Sequence, residues 1–266
     1  MIDTHIHLDS SRYQDPAAVC RRAVERGVEA VVVPGAGPSS NAAVLQMATR
    51  FAGLLHPALG LHPELPVLQR RDLDVWAESV RRHRSRICAI GEVGLPWYGA
   101  SAADPERRAL AREIVACGAA LARELDLALI LHAPHQSAAT ALQIVRGAGA
   151  SRVVFHWHKA DEATTRAIIE AGFCVSITPD IVRRQRDRQT VRIAPLESIV
   201  VETDGPYPHE SAFPGCQTEP WMVSAAIGAI AQIKGIDPQS AAAATSFNAR
   251  RLFALGRHQA AAKGDL

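Results

Sequence analysis

Short apolar runs rich in β-branched residues alternate with longer amphipathic stretches from one end of the chain to the other. The short runs predict strands at Ile2–His5, Ala30–Pro34, His56–Gly60, Ile87–Gly91, Leu127–Leu131, Val153–His156, Cys174–Thr178 and Ile199–Glu202. Between them the apolar spacing predicts helices, among them Pro16–Gly27, Ser39–Phe51, Asp72–His83, Pro105–Leu125, Ser137–Gly147 and Glu162–Gly172. Gly27, Gly147 and Gly172 are placed to end their helices in a left-handed conformation. Strict alternation implies a parallel sheet. Eight such units in 266 residues predict one α/β domain over residues 1–266, a closed (β/α)₈ TIM barrel. A doubly wound open sheet would alternate in the same way. From about Glu219 to Gly256 the pattern is helical only, with Pro238 opening a new helix, and these extra C-terminal helices are expected over the barrel exterior. The small, polar tail His258–Leu266 is expected to fray.

Several of the predicted strands end in side chains that ligate metals. The first ends in His5-Ile6-His7, and alternate residues of a strand project to one side, so both imidazoles can face one point. Alone this pair is a weak signal, since polar residues are ordinary at strand ends. Glu92 follows the fourth apolar run, His132 ends the fifth, His156 ends the sixth and Asp204 lies just past the eighth. In a parallel barrel all strand C-termini open on one face, where active sites sit. Six ligand-type groups from five strands would then share one mouth. Four imidazoles and two carboxylates suit divalent zinc, manganese, magnesium, nickel or cobalt without selecting among them. Six protein ligands exceed the three that a single catalytic zinc uses. Two ions account for the number better, with Glu92 between them, because a bidentate anion offsets repulsion between two cations.

Charge and cysteine content narrow the setting. With 29 basic and 27 acidic side chains the formal net charge is +2, so the chain as a whole does not advertise nucleic-acid or membrane binding. Five cysteines, an odd number without a C-x-x-C pair, argue against a disulfide framework and a thiolate zinc site. The chain shows no secretory signal and no membrane-spanning run, and the expected setting is the reducing cytoplasm.

With these residues in hand, the chain resembles the TatD family of metal-dependent hydrolases, within the amidohydrolase-like barrels. The matching segments run nearly its whole length. They are Ile2-Asp3-Thr4-His5-Ile6-His7-Leu8-Asp9, Gly60-Leu61-His62-Pro63, Ala89-Ile90-Gly91-Glu92-Val93-Gly94-Leu95, Leu131-His132, Phe155-His156, Val201-Glu202-Thr203-Asp204-Gly205-Pro206-Tyr207 and Asn248-Ala249-Arg250-Arg251-Leu252-Phe253. The resemblance implies a TIM barrel that hydrolyses its substrate at a one- or two-metal centre, and several members of the family are deoxyribonucleases. It also implies that His5, His7 and Asp204 hold one ion and His132 and His156 the other, with Glu92 in between. The departures fall where substrate should sit. Pro96 replaces a usual aspartate, Pro134 stands where an arginine is common, with His135 next to it, and His158-Lys159-Ala160 replaces Phe-Ser-Gly.

Other residues near the expected mouth extend the picture. His62, Trp97, His135 and Lys159 are candidate substrate contacts. His158 is a candidate catalytic residue beside Glu92 and Asp204, as proton donor to the leaving group. Trp97, Tyr98 and Trp157 can stack bases or wall the pocket. Arg183, Arg184, Arg186, Arg188 and Arg192 follow the seventh strand, where barrels commonly hold phosphate, although such a run is also an ordinary solvated helix face. Glu202 should point to the same side as Asp204 and can orient a ligand or simply pair with a nearby cation, while His56 reads as structural. The leading expectation is phosphodiester hydrolysis in DNA by metal-activated water. A small-molecule amidohydrolase or lactonase on the same ions, and a partner subunit that keeps metal for stability, are the alternatives. The number of subunits is not encoded in any of these patterns.

Overall fold

The computed structural model describes residues 1–256, so the tail His258–Leu266 lies outside the described residues. Eight parallel strands pair in chain order, β1 to β8. They are β1 (Ile2–Asp3), β2 (Ala30–Pro34), β3 (Leu55–Leu61), β4 (Ala89–Gly94), β5 (Ala128–His132), β6 (Val153–Phe155), β7 (Cys174–Ile177) and β8 (Ile199–Val201). Between β1 and β5 run α1 (Pro16–Glu25), α2 (Pro38–Arg50), α3 (Arg70–Arg82), the short α4 (Gly99–Ala103) and α5 (Pro105–Leu125). Then come α6 (Ser137–Ala148), α7 (Glu162–Glu170), α8 (Gln185–Ile193), α9 (Val223–Lys234) and α10 (Pro238–Phe253). Every predicted strand is present, and the sheet is the barrel rather than the open doubly wound alternative.

Local chemistry explains the helix ends. At α1, α5 and α10 an aspartate caps the first turn and a proline follows at once: Asp15-Pro16, Asp104-Pro105 and Asp237-Pro238. The carboxylate accepts orphan N–H groups and proline lacks the one it would waste. Gly27 and Gly172 take the left-handed conformation, with φ near +80°. Gly147 does not: it lies inside α6, and Gly149 (φ +75°) ends that helix two residues later.

Two apolar layers hold the barrel. Outward-facing strand residues such as Val31, Leu59, Leu129, Phe155 and Val175 pack against the helices. Inward-facing residues, among them Ile2, Ala30, Ala58, Ala89, Ala128 and Val200, form a separate cluster. Ala58, Ala89 and Ala128 lie in register on neighbouring strands, and their small side chains leave room inside. Ala249, Leu252 and Phe253 at the end of α10 join this inner cluster, with Phe253 fully buried. The C-terminal helices are therefore not confined to the exterior, since the last turn of α10 stoppers the interior. Filling that space with apolar volume follows from the high packing density of protein cores.

The seam between β8 and β1 is closed by bonds beyond the regular ladder. The Thr4 amide donates to the Val201 carbonyl (3.0 Å), the Asp204 amide to that of His5 (2.8 Å) and the His7 amide to that of Gly205 (2.7 Å). Asp3 pins this seam from within, its carboxylate accepting the His5 amide (3.2 Å), the Thr203 amide (3.0 Å) and the Thr203 hydroxyl (2.6 Å). Complete burial raises the Asp3 pKa well above its ordinary value, against the hydrogen bonds that lower it.

Candidate metal centre

The strand ends bring all six candidate ligands to one point at the mouth. The first pair arrives differently from expectation. β1 leaves the ladder at Asp3, so His5 and His7 lie beyond the strand, yet their Nε2 atoms are 3.2 Å apart. Asp204 follows β8 with φ +50°, a backbone setting uncommon for a residue with a side chain, and its Oδ1 lies 3.5 Å from His5 Nε2 and 3.6 Å from His7 Nε2.

Glu92 is delivered by an irregularity. It lies within β4 rather than after it. Ile90 and Val93 both pack in the outer layer, so strict alternation fails between them, and the pairing with β5 slips at the same place. Such a bulge re-aims a side chain. Gly91 (φ +135°) permits it, because a Cβ there would come within 2.7 Å of Ile130. On β3, a Cβ at Gly60 would meet the Glu92 backbone at 2.4 Å.

The carboxylate of Glu92 faces two pairs of histidines. Oε1 is 3.0 Å from His7 Nε2 and 3.5 Å from His5 Nε2. Oε2 is 2.8 Å from His156 Nε2 and 3.5 Å from His132 Nδ1. His132 Nδ1 and His156 Nε2 are themselves 3.2 Å apart, and the rings of His5 and His156 stack at 4.1 Å. Burial works against ionising Glu92, but the surrounding histidines, His156 foremost, hold its carboxyl well below the usual range. Burial likewise opposes charge on the histidines. Glu92 overrides it, lifting His7 to about 9 and His156 well above its ordinary value, while Glu64 and Glu92 together raise His132.

The donor set fits divalent ions. Of the atoms that face the centre, Glu92 Oε2 is buried without a hydrogen-bond partner. Buried polar groups are rarely left so. Ring nitrogens about 3 Å apart, turned on shared carboxylate oxygens, are spaced as ligands of a common ion are, at bond lengths of roughly 2.0–2.2 Å.

Outer partners fix several of these rings. Glu202 Oε1 lies 3.5 Å from His156 Nδ1 and accepts the Trp157 amide at 2.5 Å, the orienting position expected of it. His7 Nδ1 meets the Pro34 carbonyl at 3.2 Å. His62 reaches within 3.8 Å of Glu92 Oε1. Its Nδ1 accepts the Glu64 amide (3.1 Å), so Nε2 carries the hydrogen and points toward the centre. Burial pushes the His62 pKa down to about 3, and the ring is neutral.

A cleft of about 600 Å³ opens beside the cluster, walled by Tyr98, His135, Trp157, Lys159, Arg184 and Arg186. Lys159 Nζ sits 3.8 Å above the Trp157 ring and 3.3 Å from the Tyr98 hydroxyl. Trp97 stands at the rim, its ring 5.3 Å from that of His135. Of the arginine run, Arg184 and Arg186 line the cleft, whereas Arg183 and Arg192 are exposed. His56 lies near the start of β3, at the far end of the barrel from the mouth.

His158 is not brought to the cluster. It is buried, with Nε2 2.7 Å from the Thr165 hydroxyl of α7, and burial lowers its pKa to about 3. Trp157 accounts for the turn: at φ +35° it changes the chain direction after β6, so that Lys159 faces the cleft and His158 faces α7. Conversely, the sequence assigns no role to Asp3 or Glu64. Glu64 Oε1 accepts the amides of Trp97 (3.0 Å) and Tyr98 (2.8 Å). Its position two residues past His62, beyond a strand end, was the available signal.

Histidines and carboxylates converging on the C-terminal rim of a (β/α)₈ barrel are the arrangement of a metal-dependent hydrolase. More narrowly, the chain belongs to the TatD related DNase family, whose model matches residues 2–254. It is 30% identical over 268 residues to the human deoxyribonuclease TATDN3, covering 97% of this chain and 96% of that one. Identity to the metal-dependent hydrolase TatD of Mycobacterium tuberculosis is 29% over 266 residues, covering 96% of this chain and 98% of the other. The crystal structure of YJJV, a TatD homolog from Escherichia coli K12, superposes with a TM-score of 0.84 at 25% identity, covering 96% and 98% of the two chains.

Proposed function

We propose that this chain hydrolyses phosphodiester bonds in DNA at a centre of two divalent ions. His5, His7 and Asp204 would hold one ion, His132 and His156 the other, and Glu92 both. The observation that carries the reading is the division of Glu92, with Oε1 turned to one histidine pair and Oε2 to the other. Bound ions would lower the pKa of a water and offset charge on a phosphoryl oxygen.

The chain's own groups supply the rest. Asp204, whose carboxylate opens on the cleft, accepts the proton of the attacking water. His62 offers its Nε2 hydrogen to an oxygen of the substrate. Lys159, with Arg184 and Arg186, draws the phosphate in and neutralises it. Trp97 and Tyr98 exclude water and offer faces to the bases, Trp157 backs Lys159, and His135 borders the same pocket. His158 has no part in this scheme.

The five free cysteines fit a reducing, cytoplasmic setting. No helix of the described residues is long and apolar enough to cross a membrane. Incubation of the manganese- or zinc-loaded protein with single-stranded and duplex DNA tests the assignment, and release of nucleotides is expected. Turnover confined to a lactone or small amide would replace it with the amidohydrolase reading.

A further inference from the structure

We propose that Glu64 is a positioning residue that ties the aromatic rim of the cleft to the ring of His132, so that holding the rim and holding an ion reinforce each other. The inference rests on the two-ion reading of the centre.

Two N–H groups donate to one oxygen, and a ring nitrogen faces it. Glu64 Oε1 accepts the amides of Trp97 at 3.0 Å and Tyr98 at 2.8 Å, and lies 3.8 Å from His132 Nε2. The opposite nitrogen of that ring, Nδ1, faces Glu92 Oε2 and His156. An imidazole that gives the lone pair of Nδ1 to an ion carries its hydrogen on Nε2, where the negative oxygen of Glu64 waits. A carboxylate in that place fixes the ring's tautomer and raises its basicity. His132 Nε2 is buried and has no hydrogen-bond partner, so Glu64 is the anion that meets it.

The other end of the tie is the rim. The amides of Trp97 and Tyr98, which follow Pro96, both need an acceptor. Glu64 satisfies both. Tyr98 then carries the contact on to Lys159, whose Nζ is 3.3 Å from the phenol oxygen. One carboxylate thus orders the β4 loop, its aromatic faces and a ring of the centre together. The device is repeated across the cleft, where Glu202 backs His156 and holds the Trp157 amide. Coupling of this kind is reciprocal: whatever orders the rim strengthens the grip at His132, and the reverse.

Glu64→Gln and Glu64→Ala separate the two roles. The amide keeps an oxygen for the two backbone N–H groups but loses the charge facing His132. Manganese affinity, read by calorimetry without substrate, should fall about 10–100-fold in Glu64→Gln. Acrylamide quenching of Trp97, isolated by difference from Trp97→Phe, should stay as in the wild type. In Glu64→Ala quenching should rise as well, and KM for a single-stranded oligonucleotide at saturating manganese should rise several-fold. Glu64→Gln with manganese affinity within twofold of wild type overturns the proposal, and this measurement decides even if Glu64→Ala folds poorly. A wild type that takes up no manganese, or that binds it no better than His132→Ala, overturns the centre itself and this inference with it.

Discussion

His156 presents Nε2 to Oε2 of Glu92 at 2.8 Å, while the second oxygen of the same carboxylate is 3.0 Å from His7. A single buried side chain therefore spans both histidine pairs. Glu92→Gln halves the negative charge available to two ions and leaves the shape of the side chain. We expect turnover to fall by more than the roughly 10–100-fold typical of losing an outer partner of a metal ligand. Asp204→Ala should do the same, with circular dichroism showing an intact barrel for both. Near-wild-type kcat in either variant refutes the assigned role.

Chelation should inactivate the protein and also destabilise it. A ligand at about 100 times its Kd stabilises the folded state by roughly 2.7 kcal/mol, so removal of bound ions should lower Tm by several degrees. The metal-free protein should then depend on pH in a defined direction. Burial alone would depress His7, but its hydrogen bond to Glu92 and the charges of Glu92 and Asp204 raise it to about 9. A raised pKa gives stability that is complete below the unfolded value near 6.5 and is lost as pH climbs through 9. Denaturant titrations of the metal-free protein should show stability contributed by His7 declining over that window. A rise over the same window would contradict the geometry.

Lys159 tests the substrate wall. Its ammonium is fixed over Trp157 and against the Tyr98 hydroxyl. Burial lowers its pKa, with Arg186 and Arg184 acting in the same sense against Asp204. A hydrogen bond to a charged group contributes about 1.5–3 kcal/mol. Lys159→Met should therefore raise KM for an oligonucleotide about tenfold or more, with kcat little changed, and should flatten the dependence of KM on salt. A fall in kcat at constant KM would move Lys159 from binding to chemistry.

His158 should behave as a core residue. With its Nε2 on the Thr165 hydroxyl, His158→Ala leaves a buried hydroxyl without that partner and should cost about 1–3 kcal/mol of stability. Chemical denaturation measures this directly, and kcat/KM at a temperature where the variant is folded should remain near wild type. A large loss of kcat without loss of stability would restore His158 to the reaction.

Periodicity alone carried the fold a long way. Eight apolar runs separated by helical stretches are local patterns, and they predict a parallel sheet because parallel strands need crossover helices; the β1-to-β8 order then decides for the barrel over the open sheet. The ligand types were equally readable, since each stands at or just past the end of an apolar run. The means by which they converge were not. β1 stops two residues before His5 because Asp3 binds Thr203, which is 200 residues away in the chain. The inward turn of Glu92 depends on a slipped register against β5, a property of two strands together.

The same division holds around the cleft. His158 and Lys159 are neighbours with similar claims to the substrate, and only the turn at Trp157 sends one into the core and the other to the cleft. In sequence Glu64 is one carboxylate among many; in the fold it accepts the Trp97 and Tyr98 amides. Chain order determined which elements form and which chemical groups lie at their ends, because hydrophobic period and strand polarity are local. The direction of each side chain, and the partner that fixes it, arose from contacts between distant segments, which no local pattern encodes.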